Sequence, residues 1–174
     1  MSALLVYKGR YGATQQYAGW IASSLHLDAV ITDNPSVNHI QSADYIIAGS
    51  AVYFGKLLIG PWLKQHLHAI KEKKIFLFVV CGTPASETEK LQEYLHHSVP
   101  EEIRNRCEVF FLPGRMHYDQ LSLGHRIAIR VANWFAGQRQ PAIPLHYDKV
   151  ERAALNPLLK AIRQHTGIKI LEAV

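Results

Sequence analysis

Residues 75–80, Ile-Phe-Leu-Phe-Val-Val, form a continuous apolar run between the polar stretch Lys71-Glu72-Lys73-Lys74 and Cys81-Gly82. A strand with one wet face alternates apolar and polar side chains. A strand this uniformly apolar, rich in β-branched and aromatic residues, has to be covered on both faces. The chain must therefore build a sheet with a layer on each side. Four further short runs read as strands: 3–7, 28–32, 45–49 and 107–112.

Helical patterns lie between them. Residues 14–25 place Tyr17, Ile21 and Leu25 four apart. Asp33-Asn34-Pro35 is a turn, followed by a short irregular or helical piece at 36–42. Pro61 suits the first position of a helix continuing through Leu63, Leu67 and Ile70. Ser86-x-x-Glu89 reads as a capping box for a helix through Leu91 and Leu95. Residues 122–136 put Ile127, Val131, Trp134 and Phe135 on one face. Asp148-x-x-Glu151 reads as a second capping box, and Asn156-Pro157 splits the last helical region. Strands alternating with helices predict a parallel, three-layer α/β sandwich. Five strands suit the order 2-1-3-4-5, and 174 residues without repeats or linkers suit one domain, 1–174.

In that order a ligand crevice opens beyond the carboxyl ends of the first and third strands. The first strand runs into Lys8-Gly9-Arg10-Tyr11-Gly12-Ala13-Thr14. A glycine-bearing turn entering a helix N-terminus can gather backbone N–H groups into an anion nest, or be only a turn. It is neither a P-loop nor a G-x-G-x-x-G pattern. After the third strand come Ser50-Ala51-Val52-Tyr53-Phe54-Gly55, with two adjacent aromatics on which a flat ring can stack. Cys81-Gly82-Thr83-Pro84 follow the fourth strand, and Pro113-Gly114-Arg115-Met116-His117-Tyr118 the fifth. A phosphate nest beside an aromatic loop suits a phosphorylated planar cofactor, with FMN the obvious candidate.

The net charge is +5, dispersed without a basic stripe interleaved with aromatics, so nucleic acid is not an expected partner. No apolar run reaches the ~20 residues that span a bilayer. Met1 to Tyr7 lacks the features of a signal peptide, and a cytoplasmic chain with reduced thiols at Cys81 and Cys107 is expected. His66/His68 and His96/His97 lack metal-ligand spacing, and no catalytic constellation of side chains stands out.

Over most of its length the chain resembles the flavodoxin-like proteins, and among them the menaquinone-dependent protoporphyrinogen oxidases. The residues carrying the resemblance are LLVYKGRYGAT, ADYIIAGSAVYFGKL and CEVFFLPGRMHY. The resemblance implies a flavodoxin-like fold in which Lys8 to Thr14 hold the FMN phosphate. It places Ser50 to Gly55 beside the isoalloxazine and Cys81 to Pro84 at its pyrimidine edge. Lys8 and Gly9 stand where that family usually offers Ser or Thr. The activity implied is oxidation of protoporphyrinogen with a quinone as acceptor. Arg115, His117 and Arg126 would form a basic rim that receives carboxylates, or a solvent-facing loop, and residues 122–135 would rest on the inner face of a membrane or simply cover the sheet. Two alternatives stand beside it: an FMN electron carrier without a small substrate of its own, and a fold that has lost FMN.

Overall fold

The computed structural model describes residues 1–26, 30–32, 37–117 and 146–167, with backbone alone at 30–32, 37, 116–117 and 146. In chain order the elements are β1 (Ala3–Lys8), α1 (Ala13–Leu25), β2 (Val30–Thr32), α2 (Val37–Ser42), β3 (Tyr45–Tyr53), β4 (Lys56–Leu57), α3 (Gly60–Gln65) and α4 (Leu67–Ile70). They continue with β5 (Lys74–Cys81), α5 (Thr88–Ser98), α6 (Glu101–Arg104), β6 (Glu108–Pro113), β7 (Arg115–His117) and β8 (His146–Asp148). A 3-10 turn, Arg152–Leu155, then leads into α7 (Asn156–Thr166).

Five strands pair in parallel in the order β2-β1-β3-β5-β6. Counted by parallel strands alone, this is the expected 2-1-3-4-5 order. The β5 run is buried along its length because both sheet faces are covered. Alternate residues feed opposite cores. Leu5, Tyr45, Ile47, Phe76, Phe78 and Val80 pack beneath α1 and α7. Leu4, Val6, Ile46, Ala48, Ile75, Leu77 and Val79 meet Ile40, Leu63, Leu91 and Leu95 on the other face.

Several local expectations are corrected. Residues 50–53 belong to β3, not to a loop: Ser50 and Ala51 continue the ladder opposite Val79 and Val80. Val52 and Tyr53 then turn back on β4 in an antiparallel hairpin. Its two-residue turn, Phe54-Gly55, has φ of 48° and 72°, the left-handed pair that matches strand twist. The helix begun at Pro61 breaks at His66 into α3 and α4. Neither capping box forms. α5 starts at Thr88 after Glu87, without a side-chain cap. Asp148 sits in β8, where its carboxylate accepts the Val150 N–H at 3.0 Å. Asn156-Pro157 divides the 3-10 turn from α7 as expected. The expected helix at 122–136, with Arg126, lies outside the described residues, as do Tyr118 and most of 28–36. Among the described residues, no helix is long and apolar enough to cross a membrane.

Candidate functional site

β1 ends at Lys8, and the chain turns through Gly9 to Gly12 into α1. Gly12 precedes the helix with a φ of 80°, a conformation that favours glycine, and its carbonyl accepts the Gln16 N–H at 2.9 Å. The N–H groups ahead of Gln16 have no preceding helical turn to receive them. The first turn of α1 carries no acidic side chain of its own, so its positive dipole end suits an anion. Thr14 is 1% exposed and packs over Gly9. A Cβ at Gly9 would fall 2.9 Å from Thr14 Cβ and 3.1 Å from its hydroxyl. Glycine at position 9 is thus what lets the chain fold tightly around Thr14. The turn has the shape and sign of a phosphate cradle.

Arg10 reaches across from this loop to the β3–β4 hairpin. Its guanidinium carbon lies 4.4 Å from the Tyr53 ring centroid and 5.9 Å from that of Tyr11. Tyr53 and Phe54 meet edge to face at 4.5 Å, and the Phe54 ring is 58% exposed. Cation–π contacts of this sort are worth about 0.5–1 kcal/mol at exposed sites. They tie the first loop to the second.

The third loop is held by its own bonds. The Thr83 and Tyr94 hydroxyls lie 3.0 Å apart, and the Gly114 N–H donates to the Cys81 carbonyl at 3.0 Å. Burial pushes the Cys81 thiol upward, so it is neutral near pH 7. On the far side, the Tyr17 hydroxyl donates to the Pro113 carbonyl at 2.9 Å and accepts the Glu151 N–H at 3.3 Å. α1 is thereby fastened to the end of β6 and to the chain leaving β8.

A crevice of about 120 Å³ opens among these loops. Tyr11, Ala13 and Thr14 line it from the first loop, Ala51 and Val52 from β3, and Val80, Cys81 and Gly82 from β5. Gly114, Arg115 and Tyr147 complete its wall. The structure therefore brings together seven residues expected from sequence: Tyr11, Ala13, Thr14, Ala51, Val52, Cys81 and Gly82. Gly9, Arg10 and Gly12 shape the cradle, and Lys8 ends the strand that leads into it. Thr83 and Pro84 face an adjoining cavity instead. Ser50 is turned away: its buried hydroxyl accepts the Ile59 N–H at 3.1 Å on the other side of β3.

Arg115, expected on an open rim, is committed to the fold. It donates to the Gln16 side chain and lies 3.3 Å from the Asp148 carboxylate. His117 is described by its backbone in β7. Tyr147 is the residue that sequence reasoning missed. The antiparallel β7–β8 ribbon, with Met116 opposite Tyr147, sets its ring against the third loop. Its hydroxyl sits where a Cβ at Gly82 would come within 2.0 Å. Burial pushes this phenol up, keeping it protonated. The only local signal was the short alternating stretch His146-Tyr147-Asp148, which does not name its partner.

The arrangement can bind a phosphorylated planar molecule: an anion cradle at one end, a narrow glycine-walled slot beyond it, and aromatic rings at the entrance. A family model described as a flavodoxin domain matches residues 4–141. A comparison with curated proteins gives no significant match. Among solved structures, the chain is similar to an apo NADH:FMN oxidoreductase, with TM-score 0.53 and 13% identity over 98% of this chain and 91% of that one. It is also similar to an archaeal flavodoxin, with TM-score 0.46 and 18% identity over 76% of this chain and 96% of that one. An FMN-bound flavoprotein from Lactobacillus acidophilus gives TM-score 0.47 and 15% identity over 64% of this chain and 91% of that one. At 13% identity the first of these likenesses speaks to fold alone. The family match, spanning most of the chain with both loops of the cradle and hairpin inside it, shows that the chain belongs to the flavodoxin-domain family.

Proposed function

We propose that this protein binds FMN and acts as a flavin-dependent oxidoreductase. The observation that carries the reading is the cradle at Gly9–Thr14, which opens directly onto the crevice at the switch point of the sheet. Backbone N–H groups at the start of α1, with Arg10, would hold the phosphate. Ala51, Val52 and the Val80–Gly82 backbone would border the ring. Bound flavin would supply the redox chemistry. The chain's contribution is to fix the ring, to border it with a described lining that carries no carboxylate, and to present neutral Cys81 and Tyr147 rather than anions beside it.

Within this class, the sequence resemblance favours protoporphyrinogen as substrate and a quinone as acceptor. The basic residues Lys8 and Arg10 of the first loop, beside the crevice, support an anionic reactant. A carrier role is the second reading, favoured by the exposed Phe54 ring at the hairpin tip, a contact point for a redox partner.

FMN titration, followed by flavin fluorescence and the visible spectrum, tests the first claim. Saturable binding is expected, weakened at least about tenfold by Gly12→Asp, which sets a carboxylate against the phosphate. Absence of binding removes the flavoprotein reading. With FMN loaded, release of protoporphyrin from protoporphyrinogen in the presence of menaquinone separates the enzyme from the carrier.

A further inference from the structure

Arg10 stands in the turn that shapes the anion cradle, between Gly9 and Gly12, yet its guanidinium lies over an aromatic ring of another element. The guanidinium carbon is 4.4 Å from the Tyr53 ring centroid, well inside the reach of a cation–π contact and as close as stacked aromatic rings approach. A flat ligand ring and the guanidinium therefore compete for one face of Tyr53. The two partners differ in freedom. Tyr53 ends β3, pairs with Lys56 across the hairpin and meets the Phe54 ring edge to face at 4.5 Å. The Arg10 side chain is exposed and leaves an irregular turn. Arg10 is the member of the pair that can move.

It also has a place to go. The first N–H groups of α1 follow Arg10 directly in the chain, and the first turn of that helix carries no acid. A phosphate held there can take a bidentate, charge-assisted pair of hydrogen bonds from a guanidinium, a stronger contact than an exposed cation–π pair. We infer that Arg10 is a phosphate-released latch on Tyr53, and the residue by which this chain selects phosphorylated over unphosphorylated flat ligands. Two arrangements are in equilibrium: Arg10 over Tyr53, and Arg10 on a phosphate with the Tyr53 face uncovered. A phosphate in the cradle and a ring on Tyr53 thus assist each other, and by linkage the assistance is reciprocal. That the uncovered face takes a flavin ring rests on the FMN reading; the release of Arg10 by phosphate does not.

The probes are inorganic phosphate, which tests the cradle alone, and lumiflavin, which carries the ring without a phosphate. The NMR resonance of the Arg10 Nε–H, displaced by the Tyr53 ring current, should return toward its ordinary position as phosphate is added. Chloride at equal ionic strength should leave it in place. Lumiflavin, followed by fluorescence quenching, should bind about two- to fivefold more tightly when phosphate is saturating, the scale of one exposed cation–π contact. Arg10→Ala should bind lumiflavin tighter than the parent by the same factor and lose the response to phosphate. The same variant should bind FMN about tenfold more weakly, so the two ligands move in opposite directions. An Arg10 resonance indifferent to phosphate would overturn the inference, as would an Arg10→Ala protein whose lumiflavin affinity is unchanged or reduced. Tight FMN binding in either case would leave the flavin reading standing. Movement of Arg10 on phosphate addition in a protein that binds neither lumiflavin nor FMN would uphold the latch and remove the flavin reading alone.

Discussion

Phe54 holds a left-handed backbone conformation that costs a non-glycine residue roughly 1–2 kcal/mol, and it is more than half exposed. Asparagine is the favoured residue at this turn position. Phe54→Asn should therefore raise stability by about 0.5–1 kcal/mol in a urea melt. A loss would mean that the edge-to-face contact with Tyr53 outweighs the strain. Two glycines make a sharper contrast. At Gly49 a Cβ would lie 2.1 Å from the Phe78 ring in the core, so Gly49→Ala should cost about 1–3 kcal/mol through overpacking. At Gly9 the collision is with Thr14, in the cradle itself. Gly9→Ala should cost about 1 kcal/mol through that collision and weaken FMN binding about tenfold; a stability loss with intact binding would contradict the assigned role. The glycine-bearing turn between β1 and α1 was legible from sequence because its parts are contiguous. Tyr147 was not, because the glycine that accommodates it belongs to a different loop.

The parallel strands were legible for a related reason: burial on both faces writes a strand as a plain apolar run. The β3–β4 hairpin was hidden because Phe54 does not advertise a left-handed turn. The capping boxes misled because a local Ser/Asp-to-Glu spacing says nothing of how neighbouring loops use those side chains. What holds the hairpin against the sheet is a pair of buried hydroxyls. Ser50 accepts the Ile59 N–H at 3.1 Å, and Ser98 of α5 accepts the Leu57 N–H at 2.8 Å. Removing either strands a buried donor, a loss of about 1–3 kcal/mol. Ser50→Ala and Ser98→Ala should each show that loss in denaturant melts. Hydrogen exchange should quicken first at Leu57 and Ile59; exchange that quickens uniformly over the sheet would argue against a local clamp.

The whole molecule buries several groups in their neutral forms. Desolvation raises the phenols of Tyr17, Tyr45 and Tyr147 above their ordinary 10.0 and the thiols of Cys81 and Cys107 above 9.0. They are distributed over both ends of the sheet and both of its faces, so their titration reports on the fold rather than on one site. With folded values above unfolded ones, the unfolded chain releases these protons first as pH rises. Their contribution to stability is complete below the unfolded values and is lost as pH climbs through the folded ones. The denaturation midpoint should hold steady from neutrality to about pH 8.5 and then fall continuously. Phenolate absorbance should rise in two stages, exposed tyrosines first and the buried three together with unfolding. Tyr17→Phe should remove one buried phenol from the second stage, at the expense of the hydroxyl that joins α1 to Pro113 and Glu151. A midpoint that stays flat well above pH 10, or buried phenols that ionise while the fold persists, would show that water reaches these groups in the native protein.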